Sequence, residues 1–286
     1  MNLIKQSFFL FSLKWSLMPI EFIAGALVAR AIGPEGKGII LLFSGISTII
    51  MGLADLRPSR GAIYFYKRGR YLLGEIASSS FIIIIIPSII ILLLFYIFQN
   101  SFLQLFISTQ IDSNYKISWI WILIFSSLFH MMFSFVNVLL IRDNEMKLYA
   151  IQSIIPPITR IALTILLALV LSWGVFGVLW SILVAKIIGI CIPIYWLIKK
   201  KVFSQLSFSK SATKKMLNIG FQQYVIEILT KISKRFDVFL VAALLSIRDI
   251  GFLSIAWGVI DIFKTIPIST MWPLVSTLVS DEKEKV

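Results

Sequence analysis

The sequence predicts an all-α integral membrane protein of about eight transmembrane helices. It forms one complete six-helix lobe followed by the first two helices of a second, parallel-repeat lobe. Three observations predict this. Hydrophobic residues make up 58% of the 286 residues and charged residues only 14%, against about 25% charged in soluble domains. Apolar stretches of membrane-crossing length recur along the whole chain. A residue pattern in the first two stretches returns in the last two.

The spans cover residues 8–32, 39–66, 76–98, 118–141, 149–171, 174–198, 217–245 and 251–280. All are too long for barrel strands, which need only about 9–11 residues of alternating character. The first resembles a signal peptide at Ala24-Gly25-Ala26, but Lys14 and Glu21 interrupt it, so it is expected to be a retained span. Phe81 to Phe98 carries no charge and is expected to face lipid, with Pro87 as a candidate kink. The fourth span carries His130 and Asn137. Pro156-Pro157, beside Arg160 in the fifth, are expected to break the hydrogen-bond ladder. Lys186 in the sixth lies too deep to snorkel. Trp119, Trp121, Trp173, Trp196 and Trp272 fall near span ends, where aromatic belts form. The domains expected are residues 1–198, a basic linker over 199–216, and a two-helix partial lobe over 217–286.

The basic residues orient these spans. With the amino terminus in the cytoplasm, 14 of the 27 Lys and Arg residues fall in cytoplasmic segments, 4 on the opposite side and 9 within spans. That bias follows the positive-inside rule and places both termini in the cytoplasm, in the cytoplasmic (inner or plasma) membrane. The net charge of +13 is thus a topology device and implies no nucleic acid. The longest basic connection, 199–215, suits anionic lipid headgroups. One cysteine, Cys191, excludes an intramolecular disulfide, and one histidine, His130, leaves no His-cluster metal site or Ser-His-Asp chemistry. No cofactor or metal is implied.

The seventh span is unlike the rest, because its centre holds Glu227, Lys231, Lys234, Arg235 and Asp237. Advancing about 100° per residue puts all five, with Gln223 and Thr230, on one side of a helix. Ile228, Leu229, Ile232, Phe236 and Phe239 fill the other. A charge at the bilayer centre costs about 2.5–3.5 kcal/mol, so this face needs a wet, paired or substrate-lined surface.

Leu27-Val28-Ala29, Gly38 and Gly45 recur as Leu240-Val241-Ala242, Gly251 and Gly258, at a constant offset of 213 residues. Six spans separate the copies, so they point the same way, as in a parallel repeat with a site between halves. The second copy holds only two spans. A partner chain that supplies the missing helices, or an inactive remnant, is therefore among the readings considered.

Ala29-Arg30-Ala31-Ile32-Gly33-Pro34-Glu35-Gly36-Lys37-Gly38 resembles the turn between the first two helices of oligosaccharide flippases. These form the polysaccharide biosynthesis family within the multidrug/oligosaccharidyl-lipid/polysaccharide exporter superfamily. Arg235-Phe236-Asp237-Val238-Phe239 and Asp249-Ile250-Gly251-Phe252-Leu253-Ser254 resemble its motifs at helices seven and eight, with Leu253 in place of the usual tyrosine. Gly33, Pro34 and Gly38 are expected to form a structural turn, not a phosphate loop, since Lys37 is followed by Gly rather than Ser or Thr.

The resemblance implies a substrate, a polyprenyl-diphosphate-linked oligosaccharide such as a capsule or O-antigen repeat unit, and no enzymatic activity. Polysaccharide-assembly enzymes and membrane lipids are the implied partners. Within the spans, nine basic and five acidic residues leave a surplus of four positive charges. On that basis Arg57, Arg60, Lys231, Lys234, Arg235 and Lys264 are expected to hold the diphosphate. Glu227, Asp237 and Asp261 are expected to pair with them or couple transport to an ion. The positive balance disfavours a drug/cation antiporter of the same fold. Short loops with few acids disfavour a membrane glycosyltransferase or polymerase.

Overall fold

The computed structural model describes residues 3–67, 71–107, 118–142 and 145–260. Among the candidates, the side chains of Lys14 and Arg60, and all of Asp261, Lys264 and Trp272, lie outside the described residues. Every regular element among the described residues is helical.

Helix α1 (Leu3–Ala54) contains an apolar stretch, Trp15–Ala54, of 40 residues. As a straight rod it would reach about 60 Å, twice the hydrocarbon thickness of a bilayer. Gly33, at φ 68° and ψ −179°, divides it into two arms. That φ is open to glycine and strains other residues. Pro34 then begins the second arm without an N–H to donate. The two arms are the first two spans.

The second span is not the continuous helix expected over 39–66. The second arm of α1 ends at Ala54, residues 55–57 are non-helical, and α2 (Pro58–Lys67) resumes. Pro58 supplies the reason. Its ring lacks a ladder donor and turns the preceding residue away from the helical region, while it suits the first position of a helix. Arg57 adopts φ 54°, outside the right-handed helical region.

Helix α3 (Leu73–Ile107) runs through Pro87 and exposes Ile85, Ile86, Ile89, Ile90, Leu93 and Leu94, an uncharged face suited to lipid. Helix α4 (Ser118–Arg142) follows. Helix α5 (Met146–Leu163) passes Pro156 and Pro157 without ending and widens into a π-helix, Thr164–Val170. The ladder thus changes later than expected, because Pro156 is buried against Gly189 of α6 (Gly174–Lys199), which supports the helix there. Trp196, expected in an interfacial belt, is instead 1% exposed, on the face of α6 that packs with Leu197 and Val202.

The basic linker is docked along α3. Ser78 Oγ donates to the Ser207 carbonyl at 2.6 Å, Thr213 Oγ1 to Ser79 Oγ at 3.0 Å, and Phe203 stacks on Phe81. Ser209 then caps α7 (Lys210–Leu244) by accepting from the Ala212 N–H at 3.2 Å. A final helix, α8 (247–260), opens on a reciprocal cap between Ser246 and Asp249. Ile39, Phe43 and Ile46 of α1, Ile84 of α3, Phe135 of α4, Val238 of α7 and Ile250 of α8 share one core.

The repeat offset has a structural counterpart. A Cβ on Gly38 would collide with the carbonyl oxygen of Ile247, and one on Gly251 with that of Pro34. The offset of 213 that relates Gly38 to Gly251 also relates Pro34 to Ile247. The contact is therefore reciprocal, as at a two-fold axis, and small residues permit the close approach.

Candidate functional site

The break in the second span is where the charged helix docks. Pro58 forces the non-helical segment, and Asp55 holds it. Asp55 Oδ1 accepts from the Arg57 backbone N–H at 3.3 Å, and its Oδ2 lies 3.5 Å from Arg57 Nε. The carbonyls freed at Leu56 and Arg57 lie against Gly220 of α7, where any Cβ would strike the Leu56 oxygen. Irregular backbone survives at membrane depth only when protein or an aqueous cavity covers it, and α7 provides that cover.

From this contact α7 presents a stripe to α1 and α2. Tyr224 Oη donates to the Leu53 carbonyl at 3.2 Å, Glu227 Oε1 pairs with Arg57 Nη2, and Lys231 Nζ lies 3.3 Å from Asp55 Oδ2. The stem of Lys231 packs on Gly52, and that of Arg235 reaches Gly45. Val238 continues the stripe into the core. Two ion pairs thus cross one interface in opposite senses. The first lobe gives Asp55 and Arg57; α7 gives Lys231 and Glu227. Two acids and two bases balance. Glu227 is the most exposed member, at 37% against 16–21% for the others. Beside them a pocket is lined by Asp55, Arg57, Ser59, Ile84, Met131, Ser134 and Phe135.

The remaining candidates sit elsewhere. Lys234 is exposed at the edge of the stripe. Asp237 faces α8 and accepts from Trp257 Nε1 at 2.7 Å. The helical wheel placed both on the charged side without fixing which arc of that side meets the first lobe. Asp55, which connects the whole arrangement, is one of the five acidic residues within the spans and is not among those expected to hold the diphosphate, pair with the basic residues or couple transport. Its signal was available in Asp55-Leu56-Arg57-Pro58, an acid three residues before a proline inside an apolar run.

A second polar group lies within the first lobe. Lys186 Nζ of α6 donates to His130 Nδ1 of α4 at 3.4 Å and sits over the Phe133 ring. Arg160 Nη2 of α5 lies 3.9 Å from Glu21 Oε2 of α1. Arg160 and Glu21 are both within electrostatic reach of Lys186. Among the described residues no group of three His, Cys, Asp or Glu side chains could hold a metal ion.

The sequence model of the polysaccharide biosynthesis protein family matches residues 3–276. The chain belongs to that family. No curated protein matches this chain in sequence. Solved structures show the fold. An inward-facing multidrug resistance MATE transporter of the MOP superfamily is 16% identical, with a TM-score of 0.60, over 84% of this chain and 57% of its own. A MATE structure in complex with MaD3S is 15% identical, with a TM-score of 0.57, over 96% of this chain and 70% of its own. The Vibrio cholerae transporter VcmN in its bent form is 16% identical, with a TM-score of 0.55, over 96% and 65%. This family member therefore has the helical fold of MOP transporters and spans a little over half the length of the first of them. Five helical stretches among its described residues are long and apolar enough to cross a membrane, and it is a multi-pass membrane protein.

Proposed function

We propose that the chain moves a polyprenyl-diphosphate-linked oligosaccharide across the cytoplasmic membrane by alternating access. Family membership supplies the polysaccharide context, and the fold supplies a transporter frame. The observation that carries the reading is the crossed pairing of Asp55 and Arg57 with Lys231 and Glu227 at the helix break. A diphosphate competes well for Arg57, whose planar guanidinium matches phosphate oxygens in a bidentate fork. Lys231 adds a point charge. Glu227, the most exposed partner, is the one displaced. Its release unties α7 from the first lobe, so binding the substrate and freeing the lobes to rock become one event. The termini lie in the cytoplasm, and the lipid tail stays in the bilayer.

The solved neighbours include a multidrug resistance transporter, which raises a drug/cation antiporter as the alternative. A chamber for cations favours an acidic surplus, whereas the crossed pairs are balanced and the other polar group is cationic. Lys231→Glu in cells that depend on this chain for surface glycan tests the reading. Loss of surface glycan at unchanged protein level, with lipid-linked precursor accumulating inside, is expected. Unchanged glycan output with the variant would refute it.

A further inference from the structure

The group formed by Glu21, His130, Arg160 and Lys186 does not balance. Arg160 and Lys186 bring two positive charges, and Glu21 brings one negative. Among the described residues Lys186 has no carboxylate within ion-pair distance, and its polar contact is the His130 ring. The Arg160–Glu21 separation of 3.9 Å is well beyond a charge-assisted hydrogen bond, and Arg160 Nε is buried with no hydrogen-bond partner among the described residues. Buried guanidinium N–H groups are ordinarily paired, so Arg160 keeps unused donor capacity beside the Lys186 ammonium.

Position narrows the ligand. Lys186 lies 13 residues before Lys199 at the end of α6, about 20 Å along the helix. That is deep in a hydrocarbon core about 30 Å thick and away from lipid headgroups. The group also adjoins the pocket at the helix break. His130 neighbours Met131 and stands one helical turn, about 6 Å, from Ser134 on α4, and both residues line that pocket with Asp55 and Arg57.

We propose that Arg160 and Lys186 form a second anion subsite, which takes the carboxylate or phosphate of an acidic sugar in the carried glycan. This rests on the lipid-linked glycan reading above and adds a property of the sugar. Arg160 supplies the directional donors and Lys186 the point charge. His130 orients the Lys186 ammonium. Glu21, more exposed than Arg160 at 59% against 31%, yields its place to the incoming anion.

The test is calorimetric titration of the purified full chain with three probes. These are a glucuronate-terminated trisaccharide, the same trisaccharide with the glucuronate reduced to glucose, and polyprenyl diphosphate alone. The wild-type chain is expected to prefer the acidic trisaccharide by ten-fold or more. Arg160→Gln and Lys186→Gln should each abolish that preference and leave diphosphate affinity unchanged, while Arg160→Lys keeps part of it. Thermal melting confirms that each variant folds. Equal wild-type affinity for the two trisaccharides overturns the subsite, as does a preference that survives both substitutions. Loss of diphosphate rather than uronate binding in Lys186→Gln also overturns it, by placing the carrier here. A chain that discriminates the uronate but does not bind polyprenyl diphosphate keeps the subsite and contradicts the function proposed above.

Discussion

Arg57 at the helix break pairs with Glu227 of α7, while beside it Asp55 pairs with Lys231 in the opposite sense. The two pairs are geometrically linked, because Asp55 also holds the Arg57 backbone and Nε. Desolvating such charges is costly, and pairing returns much of that cost only when every member is present. The arrangement is better suited to fixing how α7 docks, and releasing it on demand, than to raw stability.

Charge reversal measures that link. Arg57→Glu places a third acid beside Asp55 and Glu227, and Glu227→Arg places a third base beside Arg57 and Lys231. Each single change is expected to lower the thermal midpoint. The double variant should recover much of the loss, with a coupling energy of about 0.5–3 kcal/mol. Additive losses in the double variant would show that the pair does not join the lobes.

The joint between Gly38 and Gly251 gives a test of packing. Gly251→Ala drives a methyl group into the Pro34 carbonyl and should destabilise by about 1–3 kcal/mol, as overpacking does. Gly258→Ala, where nothing lies within 4 Å, should be neutral or gain about 0.5–1 kcal/mol from helix propensity. Thermal unfolding of the two variants compares them. Equal effects would mean that the close approach does not exist.

The cap of α8 has a pH signature. The Ser246 hydroxyl and then its backbone N–H donate to Asp249, which holds this exposed carboxyl below the usual carboxylate range. A lowered folded value means the cap contributes above the unfolded value, about 3.9. That contribution is lost as pH falls through the folded value, below pH about 4. Carbon-13 titration of the Asp249 carboxyl should give a midpoint below that of the unfolded peptide. A midpoint at or above it would contradict the cap.

Much of this architecture was legible in the sequence, for physical reasons. Apolar runs of bilayer length can be little else than helices, and Gly33-Pro34 marks where the first long helix must break. Five spaced residues located the repeat, and Gly38 and Gly251 then met in space. The site was legible in part. Helical periodicity placed Glu227, Lys231 and Arg235 on one side of α7, but periodicity cannot choose the arc that faces a neighbour. Gly220 against the Leu56 carbonyl, together with the contacts of Tyr224, Glu227 and Lys231, fixes that arc, and it leaves Lys234 at the edge and Asp237 on Trp257. The break before Pro58 was hidden because Asp55 and Arg57 interrupt an otherwise apolar run that reads as one span. The Arg160–Lys186 group was hidden because its members come from separate helices and no spacing along the chain links them.

The most direct measurement of the central claim is movement of a fluorescent polyprenyl-diphosphate trisaccharide across proteoliposomes that contain the purified chain. Movement above protein-free vesicles is expected for the wild type. It should fall at least ten-fold in the Arg57→Ala and Lys231→Ala variants at equal incorporation. Movement in both variants at the wild-type rate would contradict a diphosphate site built on Arg57 and Lys231.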